Sequence, residues 1–314
     1  MKFWAIILSL MVANAAYADI DTGTVKLHRF ASSHHAWNTN SYFLESPTGI
    51  VLIDAQLLKS DASMLAGMIK STGKPLSGVI VTHPHLDHFG GLPELKAQLG
   101  KFPVFAAKGT ADEMQKAHSQ MLRFSKMPNR FGEALDERFD GTVTIVANKQ
   151  VLTLAGIDLT IHDLGPGEAV NNIIVYQKDL DLVFAGDTFY PHAHYYIGEG
   201  HLDGARNHLN FILENFGAET AVLGGHNNPA RAKQASEQIA YINYVEKLTS
   251  QAMASKSNLN EKGILTRPAR AAVVAEILVR YPNYDDFFYQ TGQFLPGNVY
   301  GTEIYLKQKA SKGE

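Results

Sequence analysis

The sequence contains no cysteine among its 314 residues. Disulfide bonds are therefore excluded, and so is any metal site that uses a thiolate ligand. A chain of this length with 45% hydrophobic residues can bury a large core without disulfides. Any metal ion that this protein binds must be held by nitrogen and oxygen donors.

Neither sign of charge is in excess, since 28 lysines and arginines stand against 31 aspartates and glutamates, for a net charge of −3. This balance predicts no basic surface for a nucleic acid, and we expect a small-molecule substrate instead. The chain also lacks sequence repeats, low-complexity segments and linkers rich in proline, glycine or serine. We therefore expect one folded domain over residues 19–314. The oligomeric state is left open.

Long hydrophobic runs are absent except near the N-terminus. There, Lys2 is followed by an apolar run from Phe3 to Val12 and by small residues that end with Ala16-Tyr17-Ala18. These three regions are typical of a secretory signal peptide, here residues 1–18, with an Ala-x-Ala cleavage site. The alternative is a membrane anchor, but the run is shorter than the roughly 20 residues that a bilayer span needs. We expect cleavage after Ala18, a periplasmic or secreted protein, and no membrane span after cleavage.

What the chain does contain is a dense cluster of metal-binding side chains. Three histidines and one aspartate lie within the six residues His83-Pro84-His85-Leu86-Asp87-His88. The preceding apolar residues predict a buried strand, and Gly90-Gly91 predicts a turn before a helix. In extended backbone, side chains two positions apart project to the same side, so His83 and His85 can hold one ion. Asp87 and His88 follow where the chain begins to coil, and they can turn towards a second ion.

This segment resembles the signature loop of the metallo-β-lactamase-fold superfamily of hydrolases. Other parts of that family's pattern follow in the expected order, over roughly residues 25 to 230. An ordered set of this kind is far more specific than any single motif. Its members here are Asn40-Ser41-Tyr42, Ile50 to Asp54, Gly165-Pro166-Gly167-Glu168, Gly186-Asp187 and Gly224-Gly225-His226.

The resemblance implies an α/β fold, namely a four-layer αββα sandwich in which two sheets face each other with helices outside. The predicted elements are consistent with it. Strands and helices alternate up to Ala106, which favours β-α-β units. Short strands return after Gly141 and are expected to form the second half. The resemblance fades beyond Ser257, where we expect extra C-terminal helices. Helices are predicted over residues 60–72, 92–99, 203–216, 229–250 and 267–281.

The resemblance also implies a set of ligands for two divalent metal ions. Zn²⁺ is the expected metal, with Mn²⁺ or Fe²⁺ as alternatives. Asp87 and Asp187 are the expected catalytic carboxylates, because they can orient an attacking hydroxide or shuttle its proton. By position in the family pattern, one ion is bound by His83 and His85, the other by Asp87, His88 and His226, and both by Asp187.

The third ligand of the first ion departs from the family pattern. Most of the superfamily has histidine there, whereas this sequence has Glu168 in a Gly-x-Glu-Ala context. That context is similar to the alkylsulfatase branch, in which the glutamate is a ligand. We expect Glu168 to bind the ion, with His162 as the alternative. A third carboxylate would lower the net positive charge of the ion pair and favour harder ions.

Several positions remain open to two interpretations. Asp54 ends a predicted strand, where it can accept the ring N–H of a ligand histidine or serve as a turn or capping aspartate. His192 and His194 are candidates for substrate binding, and exposed loop residues are the alternative. The methionine-rich segment from Thr110 to Asp140 can form a wall of the substrate cleft or the buried face of a connecting helix.

These features predict an exported dinuclear metallohydrolase. A metal-bound hydroxide would cleave an ester, amide, lactone or β-lactam bond. Rival functions within the same fold are a sulfatase or phosphatase, and a mononuclear iron oxygenase that acts on persulfides. A metal-loaded binding protein without turnover is a further alternative.

Overall fold

The computed structural model describes residues 20–21, 25–114, 116, 141–286 and 294–313. The predicted signal peptide lies outside the described residues, and so does the methionine-rich segment except for residues 110–114 and 116. None of the helices in the described ranges combines the length and apolarity that crossing a bilayer would require.

The described strands form two sheets. The first has the order β1 to β7, with antiparallel pairing from β1 to β4 and parallel pairing from β4 to β7. Its strands are β1 (Ile20–Asp21), β2 (Lys26–Ala31), β3 (Asn40–Glu45), β4 (Ile50–Ile53), β5 (Leu76–Ile80), β6 (Val104–Ala107) and β7 (Val143–Val146). The sequence places residues 143–146 in the second half of the fold, but β7 pairs with β6 and belongs to the first sheet.

The second sheet has the order β13-β12-β11-β10-β9-β8. Strands β11 and β12 are parallel, and the other neighbours are antiparallel. Its strands are β8 (Val151–Leu154), β9 (Ile157–Gly165), β10 (Asn172–Gln177), β11 (Leu182–Gly186), β12 (Ala221–Gly224) and β13 (Ala230–Arg231).

The helices whose bounds the structure describes are α1 (Lys59–Ser71), α2 (Leu86–Phe89), α3 (Leu92–Leu99), α4 (Leu202–Asn215), α5 (Ala235–Met253), α6 (Arg267–Arg280) and α7 (Phe294–Lys312). Residues 108–114 are helical as well. Helices α1, α3, α4 and α6 begin and end within one residue of the predicted bounds. Helix α5 begins later than residue 229, because residues 230–231 form β13 and residues 232–234 form a 3₁₀ turn.

The central strands of each sheet are buried on both faces, as β4 and β10 illustrate. In β4, Val51 lies in the core between the two sheets, whereas its neighbour Leu52 packs in the core beneath α1 and α3. In β10, Val175 faces the core between the sheets and Ile174 the core beneath α4 to α7. Successive side chains of a strand point to opposite faces, so an uninterrupted apolar strand requires cover on both sides. This confirms the predicted four-layer αββα sandwich.

Candidate metal centre

The histidine-rich segment connects β5 to α2, as its sequence predicts. His85 has extended backbone, with φ −75° and ψ 144°, and α2 begins at the next residue. The ring centroids of His83 and His85 lie 4.8 Å apart, and those of His83 and His88 lie 4.1 Å apart. The local change from extended to helical backbone therefore gathers the three imidazoles.

Three further donors lie on loops that follow strands of the second sheet. Glu168 comes after β9, Asp187 directly after β11, and His226 two residues after β12. Because β11 and β12 are parallel neighbours, their carboxyl ends meet at one edge of the sheet. The Gly225 amide donates to the Gly186 carbonyl at 2.8 Å, which holds these two loops side by side.

These residues form two groups of potential metal-ligating atoms, and the atoms of each group lie within 4.8 Å of one another. Asp187 belongs to both groups. His85 is the member with partial exposure, at 27% of its side chain, and the others are buried. The structure therefore brings together the seven predicted residues in the arrangement that the resemblance implies. The first metal-donor group, or donor group, is His83, His85, Glu168 and Asp187, and the second donor group is Asp87, His88, Asp187 and His226.

The donor atoms of these groups fit a divalent cation. Four of the buried donor atoms have no hydrogen-bond partner within the described part of the chain. They are Nε2 of His83, Nε2 of His88, Oε2 of Glu168 and Oδ1 of Asp187. Buried polar atoms are nearly always satisfied, and imidazole nitrogens and carboxylate oxygens are typical ligands of Zn²⁺. A bound ion would satisfy these four atoms.

The buried carboxylates of the donor groups shift the pKa values of the residues around them. Burial alone would lower the pKa of His226, but Asp187 and Asp87 more than offset it and raise that pKa to about 10. Burial would raise the pKa of Asp187, yet His226 and His88 hold it well below its usual range. Burial raises the pKa of Glu168, against the opposing effect of His85. Asp187 is thus held in its ionised form and stabilises positive charge beside it, whereas burial disfavours ionisation of Glu168.

Three of the imidazoles are also held at their outer nitrogen. Nδ1 of His88 lies 2.8 Å from Oδ2 of Asp54, and Nδ1 of His226 lies 2.8 Å from the Trp37 carbonyl oxygen. Nδ1 of His83 lies 3.0 Å from the Thr82 hydroxyl. An acceptor beside Nδ1 keeps the proton on that nitrogen. The lone pair of Nε2 is then free to bind an ion in the donor group.

Asp54 therefore contacts a histidine of the site, which was one of its two interpretations. Besides His88, its carboxylate accepts hydrogen bonds from the Thr82 amide and the Thr82 hydroxyl, each at 2.8 Å. Its backbone is left-handed, with φ 61°. A non-glycine residue rarely adopts this conformation, which indicates that the surrounding contacts hold it in place.

The loop that carries Glu168 packs tightly against α4. A Cβ at Gly167 would overlap the ring of His208, and a Cβ at Gly204 would overlap the Pro166 carbonyl oxygen. The buried ring of His208 lies 3.0 Å from the Leu164 carbonyl oxygen through Nε2. The glycine before Glu168 is therefore required by packing, and α4 fixes the direction in which the carboxylate enters the site.

The Asn-x-Tyr motif of β3 supports the loop of His226. The Asn40 side-chain amide donates to the carbonyl oxygens of Gly224 and Asn227 at 3.0 and 2.7 Å. The Tyr42 hydroxyl donates to the same Gly224 oxygen at 3.0 Å. These bonds join the first sheet to the second beside the donor groups.

Sequence reasoning missed three residues that contact the donor groups. The Tyr190 hydroxyl donates to Oδ2 of Asp187 at 2.6 Å and lies 3.1 Å from Oε1 of Glu168. The Thr39 hydroxyl donates to Oδ2 of Asp87 at 2.8 Å. Oε1 of Glu199 lies 3.0 Å from Nε2 of His85. Tyr190 stands three residues after Asp187, but spacing in an irregular loop does not reveal which ring turns inward.

The predicted substrate-binding histidines lie outside the two donor groups. His192 is exposed, and its Nε2 lies 3.0 Å from the Gln234 side-chain nitrogen. His194 is 0% exposed and contacts the rings of Tyr241 and Tyr284, so in this position it presents no surface to a substrate. His162, the alternative third ligand, packs against aromatic rings of α4 and the residue after it.

A family model described as the metallo-beta-lactamase superfamily matches residues 36–226, well over half of the chain. The chain is similar to the metallo-beta-lactamase type 2 of Pseudomonas aeruginosa, with 22% identity over 59% of this chain and 66% of that protein. It is also similar to the hydroxyacylglutathione hydrolase of Methylobacterium nodulans, with 29% identity over 53% of this chain and 54% of that protein. The matches thus span between about half and two thirds of these relatives.

Solved structures share the fold at low sequence identity. A beta-lactamase domain protein from Burkholderia ambifaria superposes with a TM-score of 0.67 and 15% identity, covering 96% of this chain and 92% of that one. A metallo-beta-lactamase family protein from Thermus thermophilus gives 0.63 and 16%, covering 92% and 94%. A protein solved in a di-iron-bound form gives 0.55 and 20%, covering 67% and 98%.

Proposed function

This chain belongs to the metallo-beta-lactamase superfamily, and on that premise we propose that it is a metal-dependent hydrolase that cleaves an ester, amide, lactone or β-lactam bond. The observation that carries the proposal is the pair of donor groups that share Asp187. Two divalent ions bound there would acidify a water molecule and polarise the bond to be cleaved. The names of the two curated relatives, a metallo-beta-lactamase and a hydroxyacylglutathione hydrolase, support a small-molecule substrate.

Asp87 is the proposed residue that orients the attacking water. One of its oxygens, Oδ2, is fixed by the Thr39 hydroxyl and faces Nε2 of His88 at 3.2 Å and Nε2 of His226 at 3.3 Å. Burial would raise its pKa, but His88 and His226 hold the pKa well below its usual range. Asp87 therefore stays ionised and accepts a hydrogen bond from the water.

Tyr190 is proposed to fix the spacing of two carboxylates. Its hydroxyl contacts both Asp187 and Glu168, and its ring stacks on His226 with centroids 5.7 Å apart. Burial and the two carboxylates keep the pKa of Tyr190 well above its usual value. The phenol therefore remains a hydrogen-bond donor, and it limits movement of Asp187 relative to Glu168.

Zn²⁺ is the proposed metal, with Mn²⁺ or Fe²⁺ as alternatives because the carboxylates of Asp87, Glu168 and Asp187 suit harder ions. The test measures metal content and turnover on one preparation. We expect about two ions per chain and hydrolysis of at least one substrate among a cephalosporin, a lactone, a carboxylic ester and a glutathione thioester. An Asp187→Asn variant should lose turnover.

The rival functions predict different outcomes when the same test also includes sulfate esters, phosphate esters and a persulfide, with a measurement of oxygen consumption. Turnover of sulfate or phosphate esters alone would favour a sulfatase or phosphatase. One iron per chain with oxygen consumption would favour the persulfide oxygenase, and tight metal binding without any turnover would favour a binding protein. Each of these results contradicts the proposed acyl-bond hydrolysis.

We further propose that the protein is exported, on the basis of the signal-like residues 1–18. The full chain would be expressed in a Gram-negative host, and the N-terminus of the periplasmic fraction would be sequenced. We expect it to begin at Asp19. A protein that keeps Met1 and stays in the cytoplasm would contradict export.

A further inference from the structure

The loop between β11 and α4 brings an additional carboxylate to His85. Oε1 of Glu199 lies 3.0 Å from Nε2 of His85, whereas Nδ1 of the same ring faces Oε1 of Glu168 at 3.3 Å. The other three imidazoles of the donor groups face them through Nε2. The ring of His85 is thus turned the opposite way: Nδ1 faces the first donor group and Nε2 points outward. Glu199 lies beside this outward Nε2.

Helix α7 holds this loop through one buried side chain. Asn298 is 0% exposed. Its Oδ1 accepts a hydrogen bond from the Ile197 amide at 2.9 Å, and its Nδ2 donates to the Tyr195 carbonyl oxygen at 2.8 Å. The loop is irregular and has no sheet partner at these two groups among the described residues, so Asn298 supplies the hydrogen bonds that a neighbouring strand would supply.

Close packing reinforces the same contact. A Cβ at Gly301 of α7 would overlap the carbonyl oxygens of Ile197 and Gly198, so only glycine lets the helix approach the loop this closely. The ring of Phe294 stacks on Tyr196, with centroids 5.5 Å apart, and the ring of Tyr196 contacts His85 edge-on at 5.7 Å. Helix α7 therefore contacts Tyr196 directly and packs against the residues that immediately precede Glu199 in the loop.

We propose that Glu199 is a positioning residue for His85 and that α7, which lies beyond the part of the chain matched by the family model, holds Glu199 in place. This inference rests on the proposed metal binding. By accepting the Nε2–H of His85, Glu199 fixes the tautomer in which the Nδ1 lone pair faces the first donor group. A carboxylate at this position also increases the basicity of the imidazole.

The first experiment compares Zn²⁺ affinity by competition with a chromophoric chelator. A Glu199→Ala variant should bind one of its two Zn²⁺ ions about 10–100-fold more weakly than the wild type, while the affinity for the other ion is unchanged. Glu199→Gln keeps an oxygen that can accept the hydrogen bond and should restore part of the loss. Glu214→Ala removes an exposed carboxylate of α4 and should bind both ions as the wild type does.

A second readout reports the surroundings of the ion rather than protein stability. In Co²⁺-loaded protein, Glu199→Ala should alter the visible absorption of one Co²⁺ ion, because the direction and basicity of His85 change. A purely structural role of Glu199 would lower the melting temperature without altering this spectrum.

The contribution of α7 is tested by Asn298→Ala, which removes both hydrogen bonds to the loop. Asn298→Ala should weaken the binding of the same Zn²⁺ ion as Glu199→Ala does. The matched control is Thr302→Val, because Thr302 is 0% exposed and its hydroxyl bonds to the Asn298 carbonyl within the helix. This variant perturbs α7 but removes no bond to the loop, and it should leave Zn²⁺ affinity unchanged.

The outcomes separate this inference from the proposed function. Two ions bound by Glu199→Ala with wild-type affinities and an unchanged Co²⁺ spectrum would overturn the role of Glu199. Wild-type affinities in Asn298→Ala would overturn the role of α7, and equal losses in Asn298→Ala and Thr302→Val would overturn the role of the two Asn298 hydrogen bonds. A wild-type protein that binds no divalent ion would overturn the proposed function, and the inference with it.

Discussion

Glu168 is the residue that most distinguishes the donor groups from the family pattern. Together with Asp87 and Asp187 it gives the two groups three carboxylates, so a pair of ions bound there would keep less positive charge and would acidify water less. We expect a Glu168→His variant to hydrolyse its substrate with a lower pH optimum than the wild type. The measurement is kcat/KM as a function of pH for both proteins.

Glu214→Gln serves as the control for the removal of one negative charge, because Glu214 lies exposed on α4. Its pH profile should match that of the wild type. A Glu168→His variant with an unchanged or higher pH optimum would show that the third carboxylate does not set the acidity of the site.

His194 makes a separate prediction about acid stability. Burial lowers its pKa to about 4, and neither ring nitrogen has a hydrogen-bond partner within the described residues. Between pH 6.5 and pH 4 the unfolded chain takes up a proton at this position and the folded chain does not. The free energy of unfolding should therefore fall as the pH falls through this window, by up to about 3 kcal/mol, and become independent of this group below it.

A His194→Phe variant removes the titrating group but keeps an aromatic ring between Tyr241 and Tyr284. As the pH is lowered from about 7 to about 4, the free energy of unfolding of the wild type should fall more than that of the variant. Urea unfolding at several pH values measures it. Two curves that stay parallel would mean that His194 is protonated in the folded protein as readily as in the unfolded chain.

At the scale of elements, the C-terminal helices are joined by an ion pair between the partly exposed Arg270 and a buried carboxylate. Glu303 of α7 is 0% exposed and accepts hydrogen bonds from Nε of Arg270 at 2.8 Å and from the Leu265 amide at 2.9 Å. Glu303→Ala would leave the guanidinium group without its buried acceptor, so we expect a loss of about 3 kcal/mol in the free energy of unfolding. Urea unfolding measures the loss.

Glu261→Ala, which removes an exposed carboxylate from the turn before α6, is the matched control. A surface change of this kind should alter the free energy of unfolding by less than about 0.5 kcal/mol. If both variants lost the same small amount, the Arg270–Glu303 pair would not be what joins α6 to α7.

The sequence predicts extra C-terminal helices but does not give the bounds of helix α7. Its first turns contain Pro296 and Gly297, and Gly301 follows. Proline and glycine have low helix propensity, although proline is tolerated in the first turn. The helix forms because its neighbours supply tertiary contacts, such as those of Asn298 with the loop before α4. Helices α1, α3, α4 and α6 were predictable because their apolar spacing already indicates a buried face.

The residues of the candidate site likewise include some that the sequence predicts and some that only the folded structure reveals. The six-residue loop from His83 to His88 carries its own local geometry, and the order of the later motifs indicates Glu168, Asp187 and His226. Glu199, Tyr190 and Thr39 reach the site only through the folding of irregular loops. No periodic pattern marks such residues, so their contacts become visible only when both sheets are in place.

At the scale of the whole molecule, the donor groups connect the two sheets. His83 to His88 follow β5 of the first sheet, whereas Glu168, Asp187 and His226 follow strands of the second. Hydrogen bonds already join the two halves here, because the Ile173 amide donates to the Thr82 carbonyl at 2.9 Å. A cation bound by each group would join them more strongly, and it would offset the repulsion among the carboxylates.

Metal removal should therefore lower the stability of the whole sandwich. Zn²⁺ at about 1,000 times its dissociation constant would stabilise the folded chain by about 4 kcal/mol relative to the chelated protein, which is about 7 °C in melting temperature for a domain of this size. Calorimetry of the Zn²⁺-loaded and EDTA-treated protein measures the shift. In Asp187→Asn, which removes the carboxylate shared by both groups, the same treatment should produce a much smaller shift. Equal melting temperatures for the loaded and the stripped wild type would mean that no cation joins the two sheets at this edge.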